Sequence, residues 1–209
     1  MIAANAVKIK ERVRDFFDKG YKSGKKIYDL SACLDLAKAK KRNKNAAKSV
    51  AHRPAGATSY YNLAELVIKM PVTDRSGNCG EMAALSAYYA LKTEFIKRER
   101  IFIGSVTNPG DHAFCLVSQA EITKTLTFAS VTEFTKSKAA PSWMIIDPWL
   151  NVAGPASTYI TEGGKKLDKW TAEGKRVAWH AGSKGPNWYA PNGEYKTAFI
   201  SAPVQLSPF

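Results

Sequence analysis

The sequence predicts an α+β fold, with one apolar helix packed against an antiparallel sheet. Three observations predict it. From Met82 to Leu91 only Ser86 is strongly polar, the composition of a helix buried on most sides. Beyond Ile101 the helical period gives way to short apolar runs such as His-Ala-Phe-Cys-Leu-Val and Trp-Met-Ile-Ile-Asp, bounded by turn residues, which read as strands. Ahead of both lies a basic region with apolar residues at helical spacing.

In chain order, Val7, Ile9, Val13, Phe16 and Phe17 form an amphipathic helical face before Gly20, and Ile27, Leu30, Cys33, Leu34 and Ala37 suggest a second helix. Lys38 to Lys48 carries Lys40, Lys41, Arg42 and Lys44 with almost no large apolar residue. Three readings of that block compete: a solvated helix end or loop, an anionic membrane contact, or a nucleic-acid patch. The last is the least favoured, because no aromatic residues interleave with the lysines to stack on bases. His52 to Gly56 is a break, so residues 1–53 are expected to form a basic helical N-terminal segment and 54–209 the main domain.

Tyr60 to Met70 reads as a short helix leading to Pro71. The central helix has a local start signal: Asn78 is a good N-cap, and Glu81 stands where a capping box needs it. Strands are expected at Ile101–Val106 and His112–Val117, joined by the turn Asn108-Pro109-Gly110-Asp111, and at Leu126–Phe128 and Trp143–Asp147. Residues 130–141 look like a polar connection. In the Gly-, Pro- and Trp-rich tail only Leu167 to Trp170 suggests a helix.

A hydrophobic content of 45% in 209 residues supplies a core for one domain. No apolar run approaches the roughly 18 residues of a membrane helix, and the N-terminus shows no signal-peptide core. Export by a specialised secretion system into a target-cell cytosol would leave no mark of this kind. Three widely spaced cysteines without a CxxC suggest neither a disulfide framework nor a zinc knuckle. The net charge of +13 is uneven: residues 1–53 hold 15 Lys and Arg against 5 Asp and Glu, and the remainder holds 16 against 13.

The chemistry concentrates in three places. The capping register puts Cys79 at the first helical position, where free backbone N–H groups and the helix dipole favour thiolate over thiol. The competing reading is a small core hydrophobe. His112 opens one strand, and Asp147 closes another and is followed by Pro148, which discourages further pairing. If these strands are antiparallel neighbours, His112 and Asp147 meet at one sheet edge, and the helix can bring Cys79 there. A thiol, an imidazole that takes its proton and a carboxylate that orients the imidazole form a nucleophilic set. Cys33 and Cys115 read as packing residues, and His52 and His180 as weaker candidates.

The blocks Gly77-Asn78-Cys79-Gly80-Glu81-Met82-Ala83, Asp111-His112-Ala113-Phe114 and Ile145-Ile146-Asp147-Pro148-Trp149 resemble the catalytic blocks of papain-like and transglutaminase-like thiol enzymes. The short spacers are most similar to bacterial effector and toxin proteases or deamidases. The resemblance spans roughly residues 76–150. It implies a papain/transglutaminase-like fold, a Cys79-His112-Asp147 triad, a thioester intermediate on a protein substrate, and no metal or organic cofactor. Thr73 stands where papain has its oxyanion glutamine, so the Cys79 N–H and the Asn78 side chain are expected to hold the oxyanion. Trp149 is expected either to contact substrate or to pack as core or lid. A different class of function is a non-catalytic binding module whose basic segment docks on an anionic membrane or acidic protein.

Overall fold

The computed structural model describes residues 3–18, 23, 25–51, 55–107, 111–180 and 186–209. Its elements run α1 (Ala3–Asp18), β1 (Lys26–Tyr28), α2 (Leu36–Ala51), α3 (Tyr60–Ile68), α4 (Cys79–Thr93), β2 (Ile101–Val106), β3 (His112–Val117) and β4 (Leu126–Phe128). There follow α5 (Val131–Lys136), β5 (Met144–Asp147), β6 (Val152–Pro155), α6 (Tyr159–Ala172), β7 (Lys175–His180), β8 (Pro186–Tyr189), α7 (Lys196–Ser201) and β9 (Val204–Pro208). The fold is α+β. Helices pack on a six-stranded antiparallel sheet of order β4-β9-β2-β3-β5-β6, and a second sheet has the order β1-β7-β8.

β3 lies between β2 and β5 and is buried along its whole length. Its register with β5 pairs Cys115 with Ile146 and Val117 with Met144. The start of β3 therefore points toward the end of β5, the arrangement that antiparallel pairing requires for His112 and Asp147 to meet. α4 packs on β2, β3 and β5. It starts where the sequence indicates: Asn78 has an extended backbone, and its N–H donates to Glu81 Oε2 at 2.7 Å, the return half of a capping box. Gly77 permits this entry, because a Cβ there would sit 2.8 Å from the Phe17 ring and 2.9 Å from Glu81 Cβ. On the β3 face that carries His112, Phe114 meets Phe134 of α5 and Tyr159 of α6.

Several expectations change. α1 is not an appendage: Ala6, Ile9, Val13 and Phe17 belong to the main core, and α1 packs on α4, β5 and β6. Burying each of its larger side chains is worth about 1.5–3 kcal/mol, so the expected boundary at residue 53 does not separate an arm from a core. The helix expected around Ile27 to Ala37 is absent. Ile27 lies in β1, paired with Arg176, and Leu34 is 88% exposed. The helix begins instead at Leu36, capped by Asp35, whose Oδ1 accepts the Lys38 N–H at 2.9 Å. The basic block is therefore helical. The polar connection at 130–141 contains α5, where Ser130 accepts the Glu133 N–H at 3.0 Å and Glu133 accepts the Ala129 N–H at 2.6 Å. The four-residue helix expected in the tail is the end of a longer one, α6. The break at His52–Pro54 and the turn residues Asn108–Gly110 lie outside the described residues.

Candidate active site

Cys79, His112 and Asp147 converge. Cys79 heads α4 and His112 heads β3, and both line one cleft of about 680 Å³ together with Asn78, Gly80, Tyr60 and Ser105. The Cys79 thiol is 5% exposed and lies 3.8 Å from the Asp111 carbonyl oxygen, beside the start of β3. At Gly80 a Cβ would meet nothing within 4 Å, so the backbone beside the thiol is open.

His112 is buried, and its Nε2 lies 2.7 Å from Asp147 Oδ2. Its Nδ1 is buried without a geometrically sound hydrogen bond, yet the Cys79 sulfur is near enough to favour the protonated ring. Burial alone would lower the proton affinity of the imidazole. The charge and hydrogen bond of Asp147, with a further contribution from Cys79, overcome it and raise the pKa to about 10. The ring therefore carries its proton through neutrality.

Asp147 has no exposed surface and is held from three sides. Oδ2 accepts from His112 and from the Tyr159 hydroxyl at 2.7 Å, and Oδ1 accepts the Leu150 N–H at 2.9 Å. The last bond closes the corner between β5 and β6 and fixes the rotamer of the carboxylate. Burial, followed by the adjacent Asp147 charge, raises the Tyr159 pKa well above that of a free tyrosine, so the hydroxyl remains a donor. Tyr159 has no local sequence signal for this role, because the helix it begins was legible only at its far end.

Asn78, the expected oxyanion residue, borders the cleft and is oriented by a network absent from the sequence reading. Ser23 Oγ accepts from Trp149 Nε1 at 2.8 Å and from the Lys25 N–H at 3.1 Å. Both partners can only donate, so the single proton of Ser23 goes to Asn78 Oδ1, 2.6 Å away. This fixes the flip of the Asn78 amide, with Oδ1 as the acceptor end and Nδ2 as the donor end. Lys25 also forms an ion pair with Asp111 at the cleft rim.

Trp149 is not a wall of this cleft. It is 4% exposed and packs between His112, at 5.2 Å, and Trp170, at 5.3 Å. The alternative of core packing therefore describes it better than substrate contact: it packs on His112 and lines a second cavity. Cys115 is fully buried, and burial raises its thiol pKa well above the ordinary range. Cys33 is half-buried rather than enclosed, and its Sγ lies 3.7 Å from the Leu30 carbonyl oxygen. The His180 backbone lies in β7, not in a loop, and His52 is outside the described residues. Among the described residues no group of three His, Cys, Asp or Glu side chains is placed to hold a metal ion, and no helix is long and apolar enough to cross a membrane.

Compared with known proteins, the chain matches no family model, no curated protein and no solved structure.

Proposed function

We propose that this protein is a thiol enzyme acting on an amide, either a peptide bond or a Gln or Asn carboxamide of a target protein, and that its fold is a papain/transglutaminase-like variant. One observation carries this reading: a thiol at a helix N-terminus shares a cleft with an imidazole held protonated by a fully buried carboxylate. Three groups from separate elements meet there, and a structural cysteine has no need of such neighbours.

In this mechanism Cys79 attacks the carbonyl carbon as a thiolate paired with the His112 ring, which already carries the proton. The negative charge on the tetrahedral oxygen faces the Cys79 N–H and the Asn78 amide. His112, steadied as a cation by Asp147, delivers its proton to the leaving nitrogen, and a thioester remains. Water or an amine then attacks the thioester, with His112 as base, and Cys79 is released. No step calls for a further cofactor. The short spacing of the three blocks favours a bacterial effector or toxin. The binding-module reading finds its observation in the basic cavity treated below, and the two readings are compatible in one molecule.

The test is the rate at which iodoacetamide alkylates each cysteine, read by peptide mass spectrometry in wild type and His112→Ala. Cys79 is expected to react fastest of the three near neutral pH and to lose that advantage without His112. Lysates treated with wild type, and not with Cys79→Ala, should then show new termini or deamidated side chains. A Cys79 no more reactive than Cys33 in folded wild-type protein overturns the reading.

A further inference from the structure

Trp149 also lines a second cavity of about 350 Å³, which His112 does not reach, within the range of small-ligand sites, about 300–1,000 Å³. Its charge is lopsided. Arg14, Lys26, Arg42 and Lys175 line it, joined by Lys38, Lys166 and Lys169, and the sole acidic side chain of the lining is Glu173. Glu173 is engaged by Lys175 and, at 3.9 Å, by Lys169. The hydrogen-bond partners of Arg14, Arg42 and Lys26 among the described residues are neutral carbonyls. Arg14 donates to the Pro148 carbonyl at 2.9 Å and lies 4.0 Å from Glu11, and Arg42 Nη2 donates to the Ser23 carbonyl at 2.6 Å. Lys26 donates to the Trp149 carbonyl at 3.1 Å, with its ammonium 3.4 Å from the centre of the Trp170 ring.

Two polar atoms at this site are left over: Arg42 Nη1 and Asn151 Oδ1 are buried without a hydrogen-bond partner. A buried guanidinium nitrogen without an acceptor is costly, and so are cations gathered in a concavity without counter-charge. Burial first, and then the charges of Arg42, Lys175 and Arg14, lower the Lys26 pKa well below that of a free lysine. Burial also lowers Arg42, to about 10. The arrangement is the one a compact, multiply charged anion would complete.

We propose that this cavity binds a small anion carrying several phosphate groups, held by Arg42, Lys26 and the surrounding lysines, and that its occupancy is felt at Cys79 through Ser23. The oxygens of such an anion supply the acceptors that Arg42 lacks, and its charge offsets the crowding around Lys26. The enclosed floor, formed by Trp149 and Trp170, admits phosphates but offers no open ring for a base to stack on, both rings being buried. The route to the cleft is continuous. Arg42 bonds the Ser23 carbonyl, and the Ser23 hydroxyl joins Trp149 to Asn78, which borders the thiol. An anion that repositions Arg42 therefore acts on the element that orients the Asn78 amide. The coupling rests on Cys79 being the nucleophile, whereas the binding does not.

The experiment titrates inorganic tripolyphosphate into the full chain, following tryptophan fluorescence and thermal stability, in wild type, Cys79→Ala, Arg42→Met and the rim variant Lys38→Gln. Saturable one-to-one binding in wild type and Cys79→Ala, weakened about ten- to a hundredfold in Arg42→Met and less in Lys38→Gln, supports the site. Equal response in all four proteins, no response in wild type, or tighter binding of an acidic peptide than of tripolyphosphate overturns it. If Arg42→Met does not fold, the Lys38→Gln and Lys26→Met titrations carry the same comparison. Parallel sedimentation with phosphoinositide vesicles separates the sources of the phosphate: Arg42-dependent capture by vesicles assigns a lipid headgroup, and its absence alongside tripolyphosphate binding assigns a soluble anion. For the coupling, tripolyphosphate should change the Cys79 alkylation rate in wild type and not in Ser23→Ala that still binds. An unchanged rate in saturated wild type overturns the coupling alone.

Discussion

His112 and Lys26 both lie against Trp149, and each is a basic group enclosed by protein. Burial works against the charge at both. At His112 the Asp147 carboxylate at 2.7 Å outweighs it, and the proton is held up to a pKa of about 10. At Lys26 the desolvation is compounded by Arg42, Lys175 and Arg14, and the pKa falls well below that of a free lysine. Burial is the largest single influence at both, and the close Asp147 reverses it at His112 whereas the neighbouring cations add to it at Lys26, where Asp147 is felt only weakly. The His112–Asp147 pair carries its own counter-charge. The cations of the cavity lined by Trp149 largely lack one, and the proposed anion site rests on that difference.

The sharpest way to break this contrast is to remove the counter-charge of His112. Asp147→Ala removes the acceptor of the Tyr159 hydroxyl, the Leu150 N–H and the His112 ring at once, all of them in the interior. Urea unfolding near neutral pH should show a loss of about 3–5 kcal/mol, the usual cost of leaving a buried charge without its partner. A loss below about 1 kcal/mol would be the behaviour of an exposed ion pair, and the pair could then no longer be treated as the electrostatic anchor of the cleft.

A second measurement uses pH. The His112 pKa rises from about 6.5 in an unfolded chain to about 10 in the fold. A group whose folded pKa is raised contributes its full stability below the unfolded value, and that contribution drains away as the pH climbs through the folded value. The stability gap between wild type and His112→Asn should therefore be widest near pH 6 and shrink progressively toward about pH 10. A gap that stays flat or widens over this interval means the ring is not held as a cation.

The convergence of Cys79, His112 and Asp147 was legible because each carries a marker within a few residues: an Asn78 cap and Glu81 for Cys79, a turn before His112, and Pro148 after Asp147. The groups that hold these three in place carry none. Trp149 and Ser23 are 126 residues apart in the chain, and Tyr159 reaches Asp147 from the start of a helix whose apolar pattern is clear only near Trp170. Long-range packing assembles such partners, and no local period encodes them. The misplaced second helix has the same origin. Ile27, Leu30, Cys33 and Leu34 happen to fall at helical spacing, but β1 is specified by pairing with Lys175–Val177, and Asp29 is anchored to Arg176 at 3.0 Å. In the basic block, which was open to three readings, Lys40, Lys41 and Lys44 are exposed on a helix as a solvated helix requires, whereas Arg42 turns inward to the Ser23 carbonyl.

The smallest expected effect, and the most telling for the cavity, comes from Lys26→Met. Methionine keeps an unbranched stem of similar length against Trp170 and Trp149 but removes the ammonium. What is lost is one hydrogen bond to the Trp149 carbonyl and the contacts with the two indole faces. What is relieved is a desolvated charge crowded by Arg42, Lys175 and Arg14. Replacing buried charge by apolar volume is often neutral or stabilising, and with Arg42, Lys175 and Arg14 outweighing the attraction of Asp147 the balance should tip to a gain of about 1 kcal/mol in the ligand-free protein. The gain should be larger at low ionic strength, because salt screens the repulsion that the substitution removes. Tripolyphosphate should invert the order, stabilising wild type more than the variant. A Lys26→Met protein clearly less stable than wild type in the absence of any anion would mean that the cavity cations are already compensated from within, and the surroundings of His112 and Lys26 would then be electrostatically alike.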